Sequence, residues 1–184
     1  AKKFVVLNSD DAKLMSAAAN HKEFKSLYAG SVGADAAFSQ PTINAEGTSF
    51  TLLIKDEKIE ITTKLLARHI PELLTMCALL AYKLGVSMQE IKEAAENIEP
   101  IPHRLQLIKT EQAIIIDDAY NSNPTGAKNA IEVLSKFEGT KVVITPGFIE
   151  LGKRQEIENK ILGENIAKTA DYLLSVSCPA IYDG

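Results

Sequence analysis

Short apolar runs rich in β-branched residues predict strands, and apolar residues spaced three and four apart predict helices. Beyond residue 104 these two patterns alternate along the chain. Strands are predicted over 105–108, 113–116, 142–144 and 172–174, and helices over 125–137 and 155–169. Such alternation is typical of a parallel, doubly wound sheet, and we expect one here.

The pattern before residue 100 is different, because it combines strands, a hairpin and two consecutive helices. Strands are predicted over 4–7 and 26–28, with a helix starting at Asp10-Asp11 between them. The β-rich runs 48–54 and 58–62 flank a polar turn at Asp56-Glu57 and predict a hairpin. Helices are predicted over 72–84, ended by Gly85, and over 88–97, where Ser87 and Glu90 have the spacing of a capping box.

The clearest boundary in the chain is the segment Glu99-Pro100-Ile101-Pro102. Two prolines this close prevent a continuous helix or strand and keep the backbone extended. We therefore expect a hinge there, with one domain over residues 1–100 and a second over residues 101–184.

Composition describes an ordinary globular protein, at 46% hydrophobic and 24% charged residues with a net charge of −4. The charges are interspersed, so the sequence indicates neither nucleic-acid binding nor membrane insertion. The two cysteines, Cys77 and Cys178, have no metal-ligand or disulfide-scaffold spacing, which fits a reducing cytoplasm. Cys77 lies in an apolar run and is expected to be a buried thiol.

The densest group of polar side chains is the segment Asp117–Pro124, with the sequence Asp-Asp-Ala-Tyr-Asn-Ser-Asn-Pro. It follows the run Ala113–Ile116, which predicts a buried strand, and it precedes a helix that Asn123 can cap and Pro124 can start. Ligands in open α/β sheets bind outside the carboxyl ends of strands. Asp and Asn are also common as caps and turn formers, but so dense a cluster favours a ligand site.

A second loop, Gly147–Arg154, has the spacing of a phosphate loop, G-x-x-x-x-G-K. Arg154 stands where a Ser or Thr would bind Mg²⁺, and the bulky interior includes Glu150 where backbone amides would face phosphate. We interpret the segment as a strand-to-helix loop with a basic first turn.

Two pairs of adjacent histidine and arginine residues, His103-Arg104 and Arg68-His69, are further candidates for binding or catalysis. Arg104 follows the predicted hinge, where a guanidinium can hold a phosphate or form a surface ion pair. His69 precedes the helix that begins near Pro71, and a lone histidine there is more often packed or capping than a ligand.

Three of these segments resemble the Mur ligase family. Val5–Asp11 is similar to the strand and Asn-x-Asp-Asp turn late in the family's central ATPase domain, and Pro102–Gln106 is similar to its hinge into the third domain. Asp117–Pro124 is similar to the nucleotide-facing loop of that third domain. Its form Asp-Asp-x-Tyr-Asn-x-Asn, with Glu150-Leu151-Gly152, resembles the MurF-type subgroup, which adds D-alanyl-D-alanine to UDP-N-acetylmuramoyl-tripeptide.

The resemblance implies an α/β fold, with residues 1–100 as the C-terminal part of the central domain. Residues 101–184 would be an incomplete C-terminal domain with a Rossmann-like, mostly parallel sheet. The implied activity is an ATP-dependent peptide ligase of peptidoglycan precursor synthesis, which forms an acyl phosphate that the amine of D-alanyl-D-alanine attacks. Implied cofactors are ATP and Mg²⁺, with the Mg²⁺ ligands outside this chain, and the implied protein is a cytoplasmic monomer acting on a UDP-linked muramoyl peptide.

The same resemblance assigns roles to residues of this chain. Arg104 would be catalytic, through contact with the ATP phosphates, and Asp118 would hydrogen-bond the ribose. The other residues implied to border the nucleotide are Tyr120, Asn121, Asn123 and His69.

The segment around His69 departs from the family. It corresponds to a Gly-x-His-Asn-x-x-Asn pattern whose amides face adenine, and Ile70 and Leu73 replace both amides here. The family's phosphate loop and Mg²⁺ ligands lie upstream of the matched segments. We therefore expect either part of a ligase or a diverged relative without the ATPase core. The alternatives are a non-catalytic nucleotide-binding or scaffold module and a folylpolyglutamate synthase-like ligase.

Overall fold

The computed structural model describes residues 3–31 and 33–184, so residues 1, 2 and 32 lie outside the described part. The chain divides into two compact units, with the first ending at Glu99 and the second beginning at Pro100. Within the described residues, no helix has both the length and the apolar character needed to cross a membrane.

The first unit is built on a six-stranded mixed sheet. Its strands are β1 (Phe4–Asn8), β2 (Lys25–Gly30), β3 (Ala36–Phe38), β4 (Thr42–Asn44), β5 (Gly47–Ile54) and β6 (Glu57–Thr63). β1, β2 and β3 run parallel, and β5 runs antiparallel to β3, β4 and β6. The predicted hairpin is confirmed as β5–β6, but its turn is Lys55-Asp56, because Glu57 already pairs with Ile54.

Three helices complete the first unit: α1 (Ala12–Ala18), α2 (Ile70–Lys83) and α3 (Met88–Glu96). Asp11 caps α1 by accepting hydrogen bonds from the backbone amides of Lys13 and Leu14. The predicted capping box of Ser87 and Glu90 is confirmed at the start of α3. The core lies between the sheet and helices α2 and α3, and its buried members include Leu52, Ile54, Ile61, Leu79 and Ile91.

The prediction that Cys77 is buried is wrong, because its side chain is exposed on α2. Leu73 and Leu80 lie four residues before and three residues after it, and both are more than 40% exposed. These positions share one side of a helix. An apolar run of eight residues cannot reveal which side of the helix faces the core, and here Thr75, Ala78 and Leu79 are buried instead.

The second unit contains four strands and two helices. They are β7 (Gln106–Lys109), β8 (Ile114–Asp117), α4 (Pro124–Leu134), β9 (Val142–Thr145), α5 (Gln155–Ala167) and β10 (Tyr172–Ser175). All the elements predicted after the prolines are present, so the α/β class is confirmed. Strands β9 and β10 pair in parallel, as the alternation predicted. Strands β7 and β8, however, form an antiparallel hairpin, because only four residues connect them.

The core of the second unit lies against helix α5. Leu162 and Ile166 of this helix are buried there together with Phe148 and Ile181 from the segments before and after it. The prediction that residues 113–116 form a buried strand is wrong: Ile114 and Ile115 keep 47% and 46% of their surface exposed. Among the described residues β8 pairs only with β7, so the hairpin is two strands wide. A run of isoleucines signals a strand, but it carries no information about whether a second layer covers that strand.

Candidate functional site

The β7–β8 hairpin brings the segment after the prolines against the Asp117–Pro124 loop. In the register of this hairpin Gln106 pairs with Asp117, so residues 103–105 lie opposite residues 118–120. In the sequence, only the hairpin itself separates the two segments. Their juxtaposition therefore follows from local strand pairing.

His103 joins the two segments through its side chain and its backbone. Its Nδ1 lies 2.8 Å from Oδ2 of Asp117, and its carbonyl oxygen accepts a 3.0 Å hydrogen bond from the amide of Tyr120. The hydrogen bond from His103, assisted by one from the backbone amide of Ala119, lowers the pKa of Asp117. The carboxylate of Asp117 is therefore held in its ionised form, facing the imidazole.

The backbone on both sides of Arg104 is strained. His103 has a φ of 62° and Leu105 a φ of 47°, in the left-handed region that non-glycine residues rarely adopt. Oδ1 of Asp118 accepts a 3.1 Å hydrogen bond from the amide of Leu105 and so holds this turn. Such strain persists only where the surroundings fix it, and it is frequent at binding sites. Here it fixes the position from which the side chain of Arg104 extends.

Arg104 stacks on the ring of Tyr120, with its guanidinium carbon 4.1 Å from the ring centroid. Both side chains face solvent, and the tyrosine is 64% exposed. Stacking uses the flat face of a guanidinium and leaves its N–H edge available for phosphate or carboxylate oxygens. The arrangement thus presents a positively charged, oriented edge beside an aromatic surface.

Asp118 is the half-buried carboxylate of the site. Burial raises its pKa, and this effect is offset in part by the hydrogen bond from Leu105 and by the charge of Arg104. Within the described residues only Oδ1 of this carboxylate has a hydrogen-bond donor. Its second oxygen can therefore accept a hydrogen bond from a ligand hydroxyl.

The remaining residues implied by the resemblance differ in their surroundings. Oδ1 of Asn123 accepts a 2.9 Å hydrogen bond from the amide of Gly126, so Asn123 caps α4 as predicted. Asn121 is exposed in the same loop. His69 belongs to the first unit, where it is the exposed N-cap residue of α2 and makes no side-chain hydrogen bond to that helix. The structure thus brings together Arg104, Asp118 and Tyr120.

The loop Gly147–Arg154 does not have the open backbone of a phosphate loop. Phe148 is buried in the core, and its amide donates a 2.8 Å hydrogen bond to Oδ1 of Asn159. The amide group of Asn159 in turn donates to the carbonyls of Phe148 and Gln155. Since the side chain of Asn159 occupies these groups, the segment is a strand-to-helix loop, as interpreted from the sequence.

Two features of the site region were not predicted from the sequence. The His103–Asp117 pair was missed because strands 105–108 and 113–116 were interpreted as parallel, although the polar residues Lys109–Gln112 between them are typical of a hairpin turn. Asn159 was missed because a polar residue in the middle of a helix is usually exposed, and no local signal marks it as buried.

No metal centre is evident in the part of the chain that the structure describes, where no three His, Cys, Asp or Glu side chains lie close enough to share an ion. The site instead offers one guanidinium edge, one carboxylate oxygen and one aromatic face. These groups suit a ligand that combines negative oxygens with hydroxyls, such as a sugar phosphate.

Comparisons with known proteins identify relatives of this chain. Residues 103–180 match the family model described as Mur ligase, glutamate ligase domain. UDP-N-acetylmuramoyl-tripeptide–D-alanyl-D-alanine ligase of Escherichia coli (strain K12) is 31% identical over 137 residues, which are 73% of this chain and 30% of that protein. The matched part of this chain therefore covers less than a third of the length of that relative.

Solved structures show the same fold. MurF from Acinetobacter baumannii superposes with a TM-score of 0.88 at 24% identity, over 100% of this chain and 40% of that one. MurF from Thermotoga maritima in complex with ADP superposes with a TM-score of 0.76 at 19% identity, over 99% of this chain and 42% of that one. These likenesses confirm the α/β fold. The family model and the sequence identity establish that the chain belongs to the Mur ligase family.

Proposed function

We propose that this chain is part of an ATP-dependent peptide ligase that adds D-alanyl-D-alanine to UDP-N-acetylmuramoyl-tripeptide in peptidoglycan precursor synthesis. The relative from Escherichia coli carries that activity in its name and is 31% identical over 137 residues. In this proposal residues 1–100 are the C-terminal part of the family's central domain, and residues 101–184 belong to its C-terminal domain.

The observation that carries the proposal is the cluster of Arg104, Asp118 and Tyr120 on one hairpin. The guanidinium edge is oriented by stacking at 4.1 Å, and Asp118 has one carboxylate oxygen without a donor among the described residues. We assign the free oxygen of Asp118 to a ribose hydroxyl and the N–H edge of Arg104 to phosphate oxygens. Tyr120 and Asn121 border the same nucleotide, and Asn123 supports the loop as a helix cap.

The chemistry of this chain is positioning and charge stabilisation. ATP, when bound, supplies the phosphoryl group that activates the substrate carboxylate. The guanidinium of Arg104 can neutralise phosphate oxygens without a proton transfer. The imidazole of His103 and the carboxylate of Asp118 hold the backbone on either side of Arg104 and so keep its guanidinium oriented.

The proposal also covers the metal, the location and the oligomeric state of the protein. Mg²⁺ ligands are assigned outside this chain. A cytoplasmic location is proposed because Cys77 and Cys178 are free thiols, as is usual in a reducing compartment. We also propose that His69 contacts the nucleotide, and that the protein acts as a monomer.

A titration of the ¹⁵N-labelled 184-residue chain with ADP, followed by amide chemical shifts, tests the nucleotide assignment. We expect saturable shifts at Arg104, Asp118, Tyr120 and Asn121, and weak binding in the range of about 0.1–1 mM. The variant Asp118→Ala should abolish those shifts, whereas Glu111→Gln, in the exposed hairpin turn, should leave them unchanged. Absence of shifts at the four residues in the unsubstituted chain would overturn the assignment.

The same chain should form no acyl phosphate from ATP and UDP-N-acetylmuramoyl-tripeptide. Phosphoryl transfer depends on a loop that cradles the phosphates and on bound Mg²⁺, and in the loop Gly147–Arg154 the backbone amide of the buried Phe148 is occupied by Asn159. Measurable acyl-phosphate formation by these 184 residues would contradict the proposal that the phosphate loop and the Mg²⁺ ligands lie outside this chain.

A further inference from the structure

The first unit contains a cavity of about 400 Å³ that the proposed function does not use. It lies beside the first half of β2, where the edge of that strand is not covered by β3, because β3 pairs only with Ala29 and Gly30. The end of β5 and the last turns of α2 form its other walls. Its floor is apolar and is made by Leu27, Ile54 and Leu79, all of which belong to the core.

The rim of this cavity is positively charged in a chain that is negative overall. Lys25, Lys55 and Lys83 line it, together with one acidic residue, Asp35. A second carboxylate, that of Glu57, accepts a hydrogen bond from the hydroxyl of Tyr82, which also lines the cavity. Oδ2 of Asp35 accepts a 2.8 Å hydrogen bond from the amide of Tyr28. Within residues 3–31 and 33–184, none of the three lysines forms an ion pair with an acidic side chain. A concave surface with like charges concentrates the field and attracts the opposite charge.

Lys55 is held in an unfavourable backbone conformation at this rim. It is the first residue of the two-residue turn between β5 and β6, and its φ is 53°. Glycine is strongly preferred where the first residue of such a turn has a positive φ. The ammonium of Lys55 lies 5.1 Å from the centroid of the Tyr82 ring, which also lines the cavity. A lysine at a position suited to glycine indicates that its side chain is used.

We propose that this cavity binds a small organic phosphate, with the phosphate dianion between the ammonium groups and an apolar body on the floor. The ammonium groups of Lys25, Lys55 and Lys83 supply charge-assisted hydrogen bonds. Leu27, Ile54, Leu79 and the ring of Tyr82 supply the apolar contact. All of these residues belong to the first unit, so the site is distinct from the cluster of Arg104, Asp118 and Tyr120 on the second.

Fluorescence anisotropy of 1-naphthyl phosphate, titrated with the 184-residue chain, tests the proposal. We expect saturable binding with a Kd below about 1 mM, and at least tenfold weaker binding of 1-naphthol, measured in the same way. Inorganic phosphate should compete only weakly, because it lacks the apolar body. Binding should persist in Asp118→Ala, which separates this site from the proposed nucleotide site. No binding of 1-naphthyl phosphate, or equal binding of 1-naphthol, would overturn the proposal.

Lys55→Gly provides the sharpest variant, because it separates binding from folding. Glycine suits the turn, so the thermal midpoint should be unchanged or higher, while the affinity for 1-naphthyl phosphate should fall about tenfold. Lys83→Gln should weaken binding similarly. The controls Lys22→Gln and Lys136→Gln remove exposed lysines that do not line the cavity and should leave the affinity unchanged. Equal losses in the control variants would show only non-specific charge attraction and would contradict the assigned site.

Discussion

The imidazole Nδ1 of His103 lies 2.8 Å from the carboxylate Oδ2 of Asp117, across the open end of the β7–β8 hairpin. This contact closes the turn that carries Arg104, which lies between two residues of positive φ. The amide of Tyr120 also donates to the carbonyl of His103, so the ring under Arg104 is fixed to the same turn. The contact between the His103 imidazole and the Asp117 carboxylate therefore helps to hold the guanidinium of Arg104 in its orientation.

Asp117 should contribute to stability in a pH-dependent way. The hydrogen bond from His103 lowers its pKa in the folded chain, so the ionised carboxylate stabilises the fold above its unfolded pKa of about 3.9. That contribution is lost as the pH falls through the folded pKa. Asp117→Asn should reduce the free energy of unfolding near pH 6, and the deficit should begin to shrink below about pH 4 and disappear once the pH lies below the folded pKa. Urea unfolding at several pH values measures this, and a deficit that is constant with pH would contradict it.

Asp118 should behave in the opposite sense. Burial raises its pKa, so the protonated form favours folding, and that advantage is present below the unfolded pKa and is lost as the pH rises through the folded pKa. Asp118→Asn keeps an acceptor for the Leu105 amide and removes the buried charge. We expect it to match or exceed the wild-type thermal midpoint at pH 7, with the difference closing below about pH 4.

Asp118→Ala serves as the comparison for that variant, because it removes the acceptor as well as the charge. It should be less stable than Asp118→Asn at every pH, since the amide of Leu105 then loses its partner. A thermal midpoint of Asp118→Asn below that of the wild type at pH 7 would show that the carboxylate is not destabilised by burial.

Asn159 should be essential to the stability of the second unit. It is 1% exposed and makes three hydrogen bonds, to the amide and carbonyl of Phe148 and to the carbonyl of Gln155. Asn159→Ala leaves the backbone amide and carbonyl of Phe148 without these partners, which costs about 1–3 kcal/mol for each buried group. Asn165→Ala, half-exposed on the same helix, should change the free energy of unfolding by less than about 0.5 kcal/mol. Chemical denaturation of both variants measures the difference, and equal effects would contradict the assigned role.

Two glycine substitutions in helices should have opposite effects. A Cβ at Gly163 would lie 2.0 Å from the backbone oxygen of Ile181, so Gly163→Ala must displace the turn Pro179–Asp183 from α5, at a cost of about 1–3 kcal/mol. At Gly126 the nearest atom is 3.5 Å away, and Gly126→Ala should stabilise α4 by about 0.5–1 kcal/mol. Thermal unfolding of the two variants distinguishes these cases. A destabilising Gly126→Ala would show that the space around α4 is tighter than the structure indicates.

Periodicity and capping signals predicted nearly every helix and strand of this chain. The capping box of Ser87 and Glu90 and the cap at Asn123 were predictable because the chemistry of a cap is local. The direction of β7 against β8 was predictable as well, because the four residues between the strands are too few for the crossover that a parallel pair needs, but the strand–helix alternation was interpreted as parallel throughout.

Burial was less predictable than secondary structure. Ile114, Ile115 and Cys77 are apolar and exposed, because the layer that covers a strand or helix is set by the rest of the fold. For the site, Arg104 and Asp118 could be named from their motifs. Their contacts could not, since Arg104 meets Tyr120, and Asp118 meets the Leu105 amide, only through the hairpin register.

If Asp118 accepts a hydrogen bond from a ribose hydroxyl, a thermodynamic cycle between this carboxylate and the hydroxyl groups will show an interaction energy. The affinities of ADP and 2′,3′-dideoxy-ADP would be measured by calorimetry for the wild-type chain and for Asp118→Asn, in which an amide nitrogen replaces the free oxygen. A hydrogen bond to a charged group contributes about 1.5–3 kcal/mol. We therefore expect removal of the hydroxyls to weaken binding at least tenfold in the wild type and by a much smaller factor in the variant. Equal losses in the two proteins would contradict the claim.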